Sequence, residues 1–306
     1  MIFPSKLQKN DTILLAAPCS PLPPDQTPEL VAEAVERLGF RVKIGASCRA
    51  ETARGYSAAP AEVRARDINE GFADPAVDAI WCIRGGSTAW ELPPLLDYDV
   101  IAANPKPFIG FSDVTTLHLA IQNRCGLVTF HGMVANRVPG WEENEFTWTS
   151  LWRALTMGDA LAVENPPGED IRPLRPGRAS GALTGGNLSL VVQSLCTPWQ
   201  VDAKGCILYL EDVGEGVYAL DRMLSQLRYA GVLEDAAGLA FGPFTKCRNS
   251  YHPDYGPEEL LREMFRDWPR PVIYNVRSGH CTPMAALPMG AVCEIDGDRG
   301  TMVFSR

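Results

Sequence analysis

The chain has 306 residues, 46% of them hydrophobic and 21% charged, a balance that supports a large packed core and excludes wholesale disorder. Its 28 lysines and arginines against 37 aspartates and glutamates leave a formal charge of −9, which disfavours nucleic acid and anionic lipid as main partners. No apolar run approaches the roughly 20 residues of a bilayer-spanning helix, so no membrane partner is expected. The nine cysteines are scattered and never spaced C-x-x-C, which argues against zinc knuckles and disulfide scaffolds. With no export signal in the first residues, a reducing cytoplasm fits best.

In the first half, short β-rich runs alternate with segments of helical period, the pattern of βαβ units and a mostly parallel sheet. Residues 12–17 predict a strand closed by Pro18. Thr27 is placed to cap a helix with Pro28 in its first turn, and Leu30, Val31, Ala34, Val35 and Leu38 form the apolar stripe. Further strands are predicted at 41–44, 77–83 and 107–111, and helices at 61–72 and 114–123. The strand at 77–83 runs straight into Arg84-Gly85-Gly86, a tight loop.

From 164 to 178 the sequence ENPPGEDIRPLRPGR loses periodicity and collects four prolines and two glycines. This stretch is expected to be a linker between an amino-terminal domain, 1–163, and a carboxyl-terminal domain, 179–306. Beyond it, strands are predicted at 206–210, 237–241 and 272–276, helices at 217–229 and 257–268, and a β-hairpin over 291–304 turned at Asp296-Gly297-Asp298.

Gly110-Phe111-Ser112-Asp113 sits where a strand turns abruptly into a helix, the setting that exposes a serine hydroxyl at the end of a sheet. Val114 stands where the G-x-S-x-G elbow has its last glycine, and Ser112 taken alone fits a helix cap at least as well. A nucleophilic serine needs a base, and there are four histidines. His118 lies six residues along the predicted helix and points away from the turn. His252 occupies a surface-type Tyr-His-Pro-Asp loop, while His131 ends a short strand and stays open as an alternative. His280, in the loop after the strand at 272–276, lies where open α/β sheets place their ligands and is the favoured base.

A carboxylate is needed to fix the imidazole tautomer. Glu211, read as the first residue beyond the strand at 206–210, is the candidate, with Asp212 and Glu215 farther into the loop. The backbone amides of Gly86 and Asp113, in a glycine turn and at a helix start, suit a developing oxyanion. Arg84 fits either a substrate carboxylate or a structural ion pair.

The runs IRGGSTAWELPPLLDYDVIAANPKPFIGFSDVTTLHLAIQNRCGLVTFHG, GGNLSLVVQSLCTPW, ILYLEDVGEGVYALDRMLSQLRYAG and GHCTPMAALPMGA resemble the LD-carboxypeptidase family of serine peptidases, which includes the microcin C self-immunity peptidases. The resemblance covers nearly the whole chain. It implies an α/β fold of two domains: a flavodoxin-like or class I amidotransferase-like amino-terminal domain with a mostly parallel sheet, and a smaller β-rich carboxyl-terminal domain. It further implies a triad of Ser112 in GFSD, Glu211 in LED and His280 in GH, oxyanion amides from Gly86 and Asp113, and no metal or cofactor.

The implied reaction releases the terminal D-Ala of a murein tetrapeptide by cutting its L,D-peptide bond in cytoplasmic cell-wall recycling, and the implied assembly is a homodimer. Ser87-Thr88 replace the family's frequent Tyr-Gly after the glycine pair, which puts substrate identity in question. The immunity branch, which cleaves peptidyl or aminoacyl nucleotides, generally carries extra sequence before the acid; the short span from Gly186 to Glu211 favours the carboxypeptidase branch. A two-lobed small-molecule binding protein is the non-enzymatic alternative.

Overall fold

The computed structural model describes residues 1–140 and 145–306. β1 (Thr12–Ala16) leads into α1 (Pro28–Arg37), whose start is capped by the Thr27 hydroxyl accepting from the Leu30 amide at 3.2 Å. β2 (Arg41–Ile44), α2 (Ala61–Ala73), β3 (Ala79–Cys82), α3 (Tyr98–Ala103), β4 (Phe108–Gly110), α4 (Thr115–Cys125) and β5 (Thr129–His131) follow. These five strands are parallel, in the spatial order β2-β1-β3-β4-β5. β1, β3 and β4 are buried at every position rather than at alternate ones, because the sheet is covered on both faces.

The chain continues through α5 (Glu145–Leu155), β6 (Ala160–Ala162), β7 (Arg172–Arg175), β8 (Arg178–Asn187), α6 (Leu188–Gln193) and β9 (Ile207–Val213). α7 (Val217–Tyr229), α8 (Val232–Asp235), β10 (Gly238–Thr245), α9 (Pro257–Met264), β11 (Val272–Tyr274), β12 (Leu287–Met289), β13 (Val292–Asp296) and β14 (Thr301–Ser305) complete it. The second sheet runs β6-β14-β13-β8-β9-β10-β11-β7, with β8 to β11 parallel and the outer strands antiparallel. The carboxyl-terminal hairpin is β13 and β14, with Asp296 opposite Thr301 as its last pair.

Three features depart from the sequence reading. The stretch at 164–178 contains β7, which pairs with β11; Pro173 is tolerated there because β7 is an edge strand. The two sheets also exchange edges across that stretch: β12 joins the first sheet beside β5, while β6 joins the second beside β14. Lastly, β9 does not end at Leu210. Pairing of Glu211 with Asn187 on β8, and of Asp212 and Val213 with Phe244 and Thr245 on β10, carries the strand to Val213.

A continuous buried cluster runs from Ile13, Leu15 and Trp81 in the first sheet through Leu287 and Met289 to Leu183, Tyr209 and Ile295 in the second. Hydrophobic burial therefore fixes the two sheets against each other, and the strand ends that carry the polar motifs meet between them.

Candidate active site

Ser112 stands two residues past β4 with φ +66°, a left-handed backbone that a non-glycine residue adopts only at a cost of roughly 1–3 kcal/mol. Residues Ser112–Val114 form a short 3-10 turn that leads directly into α4. The sharp bend lifts the hydroxyl off the sheet. Gly85 makes room for it, since a Cβ at position 85 would lie 3.0 Å from the Cβ of Ser112.

His280 arrives from the second sheet, on the loop after β11, and Glu211 from within β9. The Glu211 carboxylate is fully buried and accepts twice from the histidine, from its backbone amide at 3.0 Å and from Nδ1 at 2.9 Å. A carboxylate can only accept, so Nδ1 carries the hydrogen. That leaves Nε2 to accept from the Ser112 hydroxyl, 2.9 Å away. The three side chains named from sequence thus form one hydrogen-bonded chain across the cleft, although Glu211 occupies a strand position rather than a loop.

The other candidates fall elsewhere. His118 is buried, its ring nitrogens 2.9 Å from the Gly110 carbonyl and 2.8 Å from the Thr129 hydroxyl; burial drives its pKa down to about 4. It braces β4 from beneath. His131, the open alternative, is also buried and held neutral by desolvation, packed edge-on against Phe111 and Tyr209 in the core. His252 is exposed. Asp212 is committed to local bonds, accepting from the Ser189 amide at 2.9 Å, the Ser189 hydroxyl at 2.7 Å and the Asn187 side chain at 3.0 Å.

Gly86 lines a cavity of about 330 Å³ together with Arg84, Phe111, Ser112, Arg137 and His280. Asp113 supplies a first-turn amide, one of the helix donors that lack an intrahelical acceptor. Its side chain also ties the glycine loop to the serine turn, because buried Oδ2 accepts from the amides of Thr88 at 2.7 Å and Ala89 at 2.8 Å. Burial raises the Asp113 pKa, while those amides and Arg64 pull it back.

Two supporting residues, Asn187 and Arg64, are given no role in the sequence reading. Asn187 caps α6, accepting from the Leu190 amide at 3.3 Å, and its side-chain amide reaches Glu211 at 3.4 Å. Arg64, fully buried, donates to Ala59, Pro18 and Thr88 and pairs with Glu91, knitting together the loops behind Gly86. Arg84 forms no ion pair among the described residues; its guanidinium donates to the Pro21 carbonyl. Asn187 does lie within the Gly185-Gly186-Asn187 motif, whereas Arg64 is one arginine in a predicted helix with no local signal.

The fold and the bonded serine, histidine and glutamate define a two-sheet α/β architecture of the hydrolase type. The models of the LD-carboxypeptidase N-terminal and C-terminal domains match residues 13–132 and 180–295, and the chain belongs to that family. It is 34% identical over 305 residues to the probable murein peptide carboxypeptidase of Bacillus subtilis, covering 98% of this chain and 93% of that protein. The muramoyltetrapeptide carboxypeptidase of Oxalobacter formigenes superposes with a TM-score of 0.83 at 27% identity, over 96% of this chain and 97% of the other. An MccF-like protein from Bacillus anthracis reaches 0.88 at 26% identity, over 100% and 99%.

Proposed function

We propose that this protein is a serine LD-carboxypeptidase that releases the terminal D-Ala of murein tetrapeptides, with Ser112, His280 and Glu211 as its catalytic triad. The observation that carries the reading is the chain of hydrogen bonds at 2.9 Å on each side of the His280 ring, which gives one hydroxyl both a base and an oriented tautomer.

In this reading Nε2 of His280 takes the Ser112 proton as Oγ attacks the carbonyl of the L-centre, and Glu211 stabilises the imidazolium. The amides of Gly86 and Asp113 face the oxyanion. His280 then returns the proton to the departing amine of D-Ala, leaving an acyl-enzyme that water hydrolyses by the same steps in reverse roles. The free state of all nine cysteines supports action in a reducing cytoplasm. A homodimer rests on the family resemblance alone.

The test is release of D-Ala from a murein tetrapeptide by wild type and by Ser112→Ala. A loss of roughly 10⁴-fold in kcat is expected, and equal rates would reject the mechanism. The MccF-like structural match favours a second reading, cleavage of aminoacyl or peptidyl nucleotide conjugates. Faster turnover of such a conjugate than of the tetrapeptide would replace the first reading with that one.

A further inference from the structure

Two guanidinium groups share the cavity with Ser112 and His280, and neither has a carboxylate partner among the described residues. Arg64, Arg153 and Arg172, by contrast, are each paired with a glutamate. Arg137 lies with its guanidinium carbon 4.7 Å from the centre of the Phe111 ring, and its Nη1 donates to the Met284 sulfur at 3.9 Å. Stacking on an aromatic face orients the planar fork and leaves its other N–H donors available. Arg137 is exposed and Arg84 half-buried, so a ligand entering the cleft reaches both.

Their placement is built into the fold. Arg84 follows β3 and Arg137 follows β5, at the carboxyl ends of parallel strands, where open α/β sheets bind ligands. The Asn136 amide donates to the Ile83 carbonyl at 2.9 Å, which sets the two arginine-bearing loops side by side. Gln26 and Asn136 then exchange side-chain contacts, with Asn136 Nδ2 donating to Gln26 Oε1 at 3.0 Å and Gln26 Nε2 to the Asn136 carbonyl at 3.3 Å.

In an exopeptidase substrate the free carboxylate is one residue beyond the scissile carbonyl, at most about 3.6 Å of chain. A cation that holds it must therefore stand about one side chain from the nucleophile. Phe111, on which Arg137 stacks, is the residue before Ser112, and its ring lies 4.9 Å from that of His280.

We propose that Arg137, with Arg84 beside it, binds the free α-carboxylate of the substrate's terminal residue and so confines the enzyme to cutting one residue from a chain end. The assignment rests on the carboxypeptidase reading above and adds the group that selects for a terminus.

The experiment compares wild type, Arg137→Gln and Arg137→Lys on a murein tetrapeptide ending in D-Ala and on the same peptide as its C-terminal amide. The acid-to-amide ratio of kcat/KM is expected to fall about 50-fold in Arg137→Gln, chiefly through KM, with partial recovery in Arg137→Lys. An unchanged ratio overturns the assignment. Independently, D-alanine and D-alaninamide are tested as protectors of Ser112 against a fluorophosphonate, whose reaction also shows that each variant is folded. D-Alanine should protect wild type better than the amide does, and the difference should vanish in Arg137→Gln; the same difference in both proteins overturns the assignment. If wild type releases no D-Ala but shows the Arg137-dependent protection, the carboxylate site stands and the carboxypeptidase reading fails.

Discussion

Gly279 lies so close against Glu211 that a Cβ on it would fall 2.3 Å from the carboxylate carbon. Its φ of +89° also belongs to glycine. The bare backbone at 279 is what lets the carboxylate accept from both the amide and the ring of His280. Gly279→Ala is therefore expected to displace Glu211 or the 278–281 loop and to lower kcat/KM by about 100-fold or more, as small misplacements of reacting groups do. The check is D-Ala release together with a urea unfolding curve, because a variant that keeps both its midpoint and its rate contradicts the geometric argument.

Asp113 offers a separate handle on the glycine loop. In Asp113→Ala the amides of Thr88 and Ala89 lose their acceptor inside a buried site, a penalty of about 1–3 kcal/mol for each donor left unsatisfied. Asp113→Asn keeps one acceptor oxygen. The Ala variant is expected to lose both stability and kcat, and the Asn variant substantially less of each, with the same peptide assay and unfolding curves as readouts.

Arg64 acts at a distance from the chemistry. Its side chain is wholly enclosed and its partner Glu91 nearly so. Arg64→Met leaves Glu91 with only the exposed Arg54 as a cation and strips the Pro18 and Ala59 carbonyls of their arginine donor, which is expected to cost about 2–4 kcal/mol. Denaturant unfolding measures this directly; a change within ±0.5 kcal/mol would show that the cluster carries little.

The buried histidines make stability depend on acidity. His118 holds a pKa of about 4 in the fold against about 6.5 when unfolded, and burial pushes His131 down as well. Between those values the unfolded chain binds more protons than the native one, so stability is present in full above pH about 6.5 and drains as pH falls toward 4. His118 alone accounts for about 3 kcal/mol of that loss. Urea midpoints measured from pH 7 to pH 4.5 should show a slope that is reduced by up to about 1.4 kcal/mol per pH unit in His118→Gln.

Much of the site is legible in the sequence because its parts carry local signals. A serine at a strand-to-helix break, an acid near a strand end and a histidine in a post-strand loop can each be found by position, and parallel strands bring such ends together. Glu211 reads as a loop residue because the β-rich run of apolar residues stops at Leu210, while the pairing that extends β9 comes from residues more than 20 positions away. β7 is hidden for the opposite reason: the prolines in and around it read as linker, and only its position at a sheet edge makes Pro173 acceptable. The roles of Arg64 and Arg137 depend on what faces them across the fold, and no periodicity or motif records that.

The crossed placement of β6 and β12 makes the two halves of the chain hostages to each other. Each half closes the other's sheet, so a protease nick in the proline-rich stretch at 164–178 leaves two fragments that stay associated and are retained as one particle on a sizing column. Either fragment produced alone exposes a naked strand edge and is prone to aggregate. For engineering, the natural unit of transplantation is the whole chain, since a graft of one half onto a foreign partner forfeits a strand from both sides.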